Sequence, residues 1–200
     1  MSDDPEELQI LLEELGSGND LRAEGAVHAL AGKGASVLPW LQAELQSENP
    51  DQRWWAIAAL AQIDHRDARQ ALKAGLADPD PSVRQCAAFG LRRQPYREAL
   101  PDLVEALGAS DRLLARLAAD ALVALGESAL ESLTKALRSK DPAVRIEAAR
   151  ALAQMEDPSA IPPLFAALDD PSHLVVHWAE RGLEKLGVGM MFFKPGGFNR

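Results

Sequence analysis

The stretch Asp141–Leu152, Asp-Pro-Ala-Val-Arg-Ile-Glu-Ala-Ala-Arg-Ala-Leu, is repeated along this chain. It aligns without a gap on Asp80–Leu91, and the same spacing recurs at Asn49–Leu60. The closing leucine returns every 30 or 31 residues, at Leu30, Leu60, Leu91, Leu122, Leu152 and Leu183. A second leucine series with the same period lies between them: Leu41, Leu72, Leu103, Leu133 and Leu164. A fixed period of this length is the signature of a repeat protein.

Each repeat predicts two helices. An Asp-Pro or Asn-Pro pair opens many of them, because the Asp or Asn side chain accepts free N–H groups and proline fits the first helical turn. Pro39, Pro101 and Pro162 stand two residues before a leucine of the second series, so each marks a helix start or a slight kink. Strand signals are absent. We predict an all-α solenoid of six helix pairs over residues 1–187.

The last residues, 188–200, break the repeat. Met190, Met191, Phe192 and Phe193 are too apolar for a free terminus. We predict that this segment seals the open end of the last helix pair. The alternative is an arm that binds a partner or a second copy of the chain.

The composition excludes several classes of protein. The net charge of −9 and the pI near 4.9 argue against non-specific nucleic-acid binding, which depends on neutralising phosphates. The single cysteine, Cys86, cannot form an internal disulfide, so a reducing compartment, the cytoplasm, is expected. The first residues are acidic and carry no apolar signal region. No apolar run approaches the ~20 residues of a membrane span.

The paired helices, with Asp-Pro-x-Val-Arg opening the second and Ala-Ala-x-Ala-Leu inside it, resemble HEAT repeats. They are most similar to the short HEAT-like repeats of phycobilisome lyases. The resemblance covers about residues 5–187 and implies the fold rather than a reaction. It also implies that the second helices line a concave surface. Repeats one, four and six depart from the motif: its arginine (Arg53, Arg84, Arg145) is replaced there by Ala23, Ala115 and Val176.

The motif arginine is predicted to be structural. On a helical wheel it lies about 20° from the closing leucine, within the apolar side of the second helix. We therefore expect its stem to be buried and its head to pair with a neighbouring aspartate.

The opposite side of the second helices carries large apolar side chains where a solvated face would carry Glu, Lys, Gln and Ser. They are Trp54, Trp55, Phe89, Leu117, Ile146 and Trp178. Exposed apolar residues in such an array mark a recognition surface, and Trp and Arg are enriched among binding hot spots. The alternative is that a pronounced superhelix, or the next repeat, partly covers these rings.

The charges of this side are mostly basic: Arg93, Arg116, Arg150, Arg181 and Lys185, against Glu24, Asp120 and Glu147. In an acidic chain this predicts a basic groove that favours an acidic partner; the alternative is scattered surface charge. The predicted partner-binding surface consists of Trp54, Trp55, Phe89, Arg93, Arg116, Asp120, Arg150, His177, Trp178 and Arg181.

No catalytic residue, cofactor or metal site is predicted. His173 and His177 are four apart on one helix, with Glu180 following, but no further ligand is marked. Cys86 has no base nearby in its repeat and is expected to be inert. The chain contains no phosphate loop, dinucleotide fingerprint or nucleophile elbow.

Three hypotheses of function follow. The first is a non-catalytic scaffold that binds a partner protein or acidic peptide through the concave face. The second is a bilin-binding protein resembling phycobilisome lyase subunits. The third is a DNA binder resembling HEAT-type alkylpurine glycosylases, whose concave Trp, Asp and Arg residues have counterparts in Trp54, Trp55, Asp120, Arg150 and Trp178. The longer repeats and more basic grooves of those enzymes place this hypothesis last.

Overall fold

A computed structural model describes residues 5–188, and the regular secondary structure of that part of the chain is helical, without strands. The predicted apolar segment at the C-terminus therefore lies outside the described residues, except for Val188. The described residues divide into two compact units, one that ends at Leu125 and one that begins at Gly126. None of the described helices is long and apolar enough to cross a membrane.

The first unit contains four helix pairs. Its helices are α1 (Pro5–Leu15), α2 (Asp20–Lys33), α3 (Leu38–Glu44), α4 (Pro50–Leu60), α5 (Arg66–Gly75), α6 (Pro81–Arg93), α7 (Leu100–Ala106) and α8 (Arg112–Ala124). The second unit contains two pairs: α9 (Glu127–Ala136), α10 (Pro142–Met155), α11 (Ile161–Ala167) and α12 (His173–Lys185). The all-α solenoid predicted from the repeat is confirmed.

Asn or Asp side chains start the second helices. Asn49 Oδ1 accepts from the N–H of Asp51 at 2.9 Å, and Asp111 Oδ1 accepts from Leu113 and Leu114 at 3.0 and 3.1 Å. The last second helix differs. It begins at His173, and the side chain of Ser172, which precedes it, makes no capping bond.

The prolines of the first helices mark helix starts, as predicted. Pro39, Pro101 and Pro162 each occupy the first turn of a seven-residue α-helix. A short 3-10 turn precedes each of these helices, at Gly34–Val37, Arg97–Ala99 and Pro158–Ala160. A proline lacks the N–H that would continue the helix from the preceding turn, so the chain changes helix type at this point.

Both leucine series form the core, as predicted. Every member is at most 1% exposed. Within the first unit, α2, α4, α6 and α8 pack on one another in order, whereas the first helices contact each other far less. In the second unit α10 packs on α12 in the same manner. The second helices thus form the tighter layer of each unit, which is expected of the inner side of a curved solenoid.

The motif arginines pair with an aspartate of the following repeat, as predicted. Arg53 Nε and Nη2 donate to the two carboxylate oxygens of Asp78, both at 2.8 Å. Arg145 does the same to Asp170 at 2.8 and 3.1 Å. The third arginine differs, because Ala109 stands where this aspartate would be. Arg84 Nη1 instead donates to the carbonyls of Asp78 and Pro79, at 2.7 and 2.9 Å.

Candidate functional site

Two aromatic pairs occupy the same position of the repeat, one pair in each unit. Trp54 and Trp55 on α4 stand six and five residues before the closing leucine, and so do His177 and Trp178 on α12. The indole rings of Trp54 and Trp55 meet edge to face, with centroids 4.6 Å apart. The rings of His177 and Trp178 lie 5.5 Å apart at 66°. Aromatic pairs favour this edge-on geometry because the positive ring edge meets the negative ring face.

The large apolar side chains of the predicted surface are less exposed than the sequence suggests. Phe89 is 43% exposed. Trp54, Trp55, Leu117, Ile146 and Trp178 are half-buried. Five of the six side chains are therefore partly covered by neighbouring parts of the fold, which is the alternative considered above. Their binding role stays a prediction.

The predicted arginines differ in their exposure. Arg93 at the end of α6, Arg116 on α8 and Arg181 on α12 are exposed. On the first unit, Phe89 stands one helical turn before Arg93, and α8 packs against α6. Asp120 on α8 lies 3.9 Å from Nη1 of Arg92, so part of its charge is compensated.

The prediction that Arg150 is exposed is wrong. Its side chain is only 3% exposed. Nε donates to Glu147 at 2.8 Å, and Nη1 donates to Gln154 at 3.3 Å, both on the same helix. A buried guanidinium held by a carboxylate and an amide of its own helix is not placed to attract a partner. Arg150 also leaves the set of residues on which the DNA-glycosylase hypothesis rests.

A cleft of about 440 Å³ opens in the first unit beside the Trp54–Trp55 pair. It lies at the N-terminal ends of α2, α4 and α6 and along the loop between α1 and α2. Asp20, Asp51 and Ser82 contribute polar groups, and Leu15 contributes apolar surface. The two tryptophans were predicted to belong to a binding surface, but the polar residues were not, because they stand in the first turns of their helices, before the positions that face away from the core leucine. The helix-start motif could have identified these polar residues, because it places them side by side in successive repeats.

Cys86 is unsuited to nucleophilic chemistry. Burial raises the pKa of its thiol to about 12. The thiolate is the reactive form of cysteine, so this side chain stays protonated at neutral pH. Among residues 5–188, no group of three or more His, Cys, Asp or Glu side chains is arranged to hold a metal ion.

The chain is similar over part of its length to a curated protein. The bilin biosynthesis protein RpcF of Synechococcus sp. (strain WH8020) is 37% identical over 92 residues, which are 46% of this chain and 44% of RpcF. The chain thus matches less than half of the length of this curated relative.

Two solved structures show the same fold. One is the complex of CpcE and CpcF of phycocyanin lyase from Nostoc sp. PCC7120. It has a TM-score of 0.61 and 24% identity, covering 74% of this chain and 99% of that chain. The other is an engineered protein with a TM-score of 0.50 and 25% identity, covering 92% of this chain and 97% of that chain.

The family is decided by a match over most of the chain. The family description "HEAT repeats" matches residues 8–80, 73–139 and 114–184. These segments include the six closing leucines and the three motif arginines described above. The chain therefore belongs to the HEAT-repeat family.

Proposed function

We propose that this chain is a bilin-handling protein similar to phycobilisome lyase subunits, and that it works together with a partner protein. The identity of 37% with RpcF over 92 residues carries the proposal. The likeness in fold to the complex of CpcE and CpcF supports a protein partner. The acidic character predicted for that partner stays a prediction.

The first unit offers side chains that suit a bilin. A bilin is a flat conjugated tetrapyrrole that carries acidic side chains. Phe89 presents a ring that is 43% exposed, and Arg93 and Arg116 are exposed on the same layer of helices. An aromatic ring can stack on the conjugated plane, and guanidinium groups bind carboxylates through paired hydrogen bonds.

The second unit repeats this combination on a smaller scale. Trp178 is half-buried and Arg181 is exposed, less than one turn further along α12. We propose that these residues contact the protein that carries the bilin. His177, packed edge to face on Trp178, would hold the indole ring in place.

We propose that the bilin is held without a covalent bond to this chain. Covalent attachment to a protein requires a reactive thiol, and Cys86 is the only cysteine of the sequence. The raised pKa of about 12 leaves almost no thiolate at this side chain near neutral pH. The chain would therefore bind or transfer a bilin whose attachment point lies on another protein.

The test is a titration of the purified chain with a free bilin, followed by visible absorbance and fluorescence. Arg116→Glu should weaken binding by roughly tenfold or more, because a hydrogen bond to a charged group contributes about 1.5–3 kcal/mol. Phe89→Ala should also weaken it. Arg66→Glu is the matched control, because Arg66 is exposed on the first helix α5.

Two results would contradict the proposal. The first is an unchanged bilin spectrum in the presence of the wild-type chain, in which case the protein-binding scaffold becomes the better hypothesis. The second is equal weakening by Arg116→Glu and Arg66→Glu, which would indicate a general charge effect. Colour that stays with the chain after unfolding in acidic urea would contradict non-covalent binding.

A further inference from the structure

The cleft beside Trp54 and Trp55 has a chemistry opposite to that of the basic residues on α6 and α8. Its charged groups are the carboxylates of Asp20 and Asp51, at the first and second positions of α2 and α4. Neither carboxylate takes part in an ion pair with any residue between 5 and 188. An anionic ligand entering the cleft would meet two negative charges.

The nearby arginines do not compensate these carboxylates, because each is engaged elsewhere. Arg22 on α2 pairs with Glu14. Arg53 on α4 pairs with Asp78, and both side chains of that pair are nearly buried. Helix N-termini carry a partial positive charge of about half a unit, which one aspartate in the first turn more than offsets. The cleft is therefore a negatively charged recess with an aromatic wall.

We propose that this cleft binds an arginine side chain of a partner protein. A cation placed against an indole ring is attracted by the ring's negative face, and tryptophan is the strongest of the aromatic partners. Arginine fits better than lysine, since its planar guanidinium can stack on a ring while its N–H groups donate to two carboxylates. The volume of about 440 Å³ leaves room for a whole side chain.

The backbone on one side of the cleft leaves its mouth open. Gly16 and Gly18, in the loop between α1 and α2, contribute no side chain. Gly18 has a φ of 69°, a conformation that other residues rarely adopt, and nothing lies within 4 Å of the position of a Cβ there. A partner segment could therefore approach the two indole rings from this side.

The proposal is independent of bilin binding, because it uses none of the residues Phe89, Arg93 or Arg116. Its test is a titration of the full chain, followed by the indole N–H signals of the four tryptophans in two-dimensional NMR. The probe is acetyl-Gly-Arg-Gly-amide. The matched probe carries citrulline instead of arginine, which keeps the shape of the side chain and removes its charge.

We expect the arginine peptide to shift the signals of Trp54 and Trp55 and to leave that of Trp40 unchanged. Trp40 lies on the first helix α3. Asp20→Asn and Asp51→Asn should each weaken binding by roughly two- to five-fold, the range typical of one exposed charge pair. Asp67→Asn is the control variant, because Asp67 is the second residue of α5, as Asp51 is of α4.

Three outcomes would overturn the proposal. In the first, the citrulline peptide shifts the same signals equally. In the second, a glutamate peptide binds where the arginine peptide does not, which would make the helix N-termini an anion site. In the third, Asp67→Asn weakens binding as much as Asp51→Asn. None of these outcomes affects the bilin titration, so the two proposals fail separately.

Discussion

Arg53 and Arg145 each connect two consecutive repeats with a single side chain. The guanidinium donates to an aspartate 25 residues further along the chain. It also donates to a backbone carbonyl of the loop before its own helix, Ser47 for Arg53 and Ser139 for Arg145, at 2.9 and 3.0 Å. These hydrogen bonds offset the desolvation cost of a nearly buried ion pair.

Removing this arginine should be costly only where the aspartate is present. We expect Arg145→Met to lower the free energy of unfolding by about 3 kcal/mol, the lower end of the range for a buried pair, because the carboxylate of Asp170 is nearly buried and loses its partner. Arg84→Met should cost about 1 kcal/mol for each hydrogen bond lost to a carbonyl. Urea denaturation followed by circular dichroism measures both, and equal losses would contradict this account of the pair.

Ala109 stands where an aspartate would complete a third arginine pair. This residue follows α7 as Asp78 follows α5, and it stands 25 residues after Arg84. Ala109→Asp should supply the missing carboxylate and raise stability by up to about 1 kcal/mol. Arg84→Met should then become more costly in the Ala109→Asp background than in the wild type.

At the scale of the helices, two glycines allow close packing inside the repeats. Gly90 and Gly182 stand directly before a closing leucine, where the other repeats have alanine. A Cβ at Gly182 would lie 2.8 Å from Leu164 Cδ1 and 2.9 Å from the backbone Cα of Ala153. A side chain tip can move away from such a contact, whereas a buried helix backbone cannot move without disturbing its neighbours.

Gly182→Ala should therefore destabilise the second unit, although alanine is the better helix former. We expect a loss of about 1–3 kcal/mol, as for other overpacked cores. Gly25→Ala on α2 is the matched control, because nothing lies within 4 Å of a Cβ there. This control should gain roughly 0.5–1 kcal/mol from helix propensity. Differential scanning calorimetry compares the stability of the two variants. A gain in stability in both would show that α12 can shift to make room for the alanine side chain.

The elements could be predicted from the sequence because the period is so regular. The leucine series, the Asp-Pro starts and the arginine pairs each depend on spacing along a single chain. The 3-10 turns before α3, α7 and α11 could not be predicted, since a proline indicates where a helix starts but not the form of the turn before it.

The candidate site was harder to predict for a physical reason. A helical wheel assigns Arg150 and Phe89 to nearly the same side of their helices, yet one is 3% and the other 43% exposed. The wheel describes one helix and contains no information on how far neighbouring elements extend over it. The carboxylates of the cleft were missed because their partners in space come from three different repeats.

At the scale of the whole chain, the aspartates of the ion pairs and helix caps make stability depend on pH. The bond from Arg145 holds the pKa of Asp170 below its ordinary value, against the opposing effect of burial. The pKa of Asp78 is lowered too. Burial raises this pKa, but the hydrogen bonds that the carboxylate accepts from Arg53 and from the N–H of Asp80 outweigh that effect. A carboxyl group with a lowered folded-state pKa stabilises the protein fully above the unfolded-state value, near 3.9 for aspartate.

We therefore expect the melting temperature to be nearly constant between about pH 7 and 5 and to fall as the pH drops below about 4. Each unit contains one of these pairs, so both should lose stability in acid. Thermal melts between neutral pH and pH 3 measure the effect. Asp170→Asn should melt lower at neutral pH and show a weaker pH dependence. A wild-type chain whose melting temperature rises on acidification would contradict the prediction.

The distance between each motif arginine and its aspartate also limits how the gene can change in length. Duplicating the whole repeat that contains Asp78 leaves Arg53 with its partner 25 residues away and places the copied aspartate 25 residues after Arg84. A single inserted codon within a helix would rotate the rest of that helix by about 100° and turn its following leucine out of the core. Such chains are therefore expected to lengthen and shorten by recombination in steps of one repeat, while small insertions are tolerated only at the loop tips.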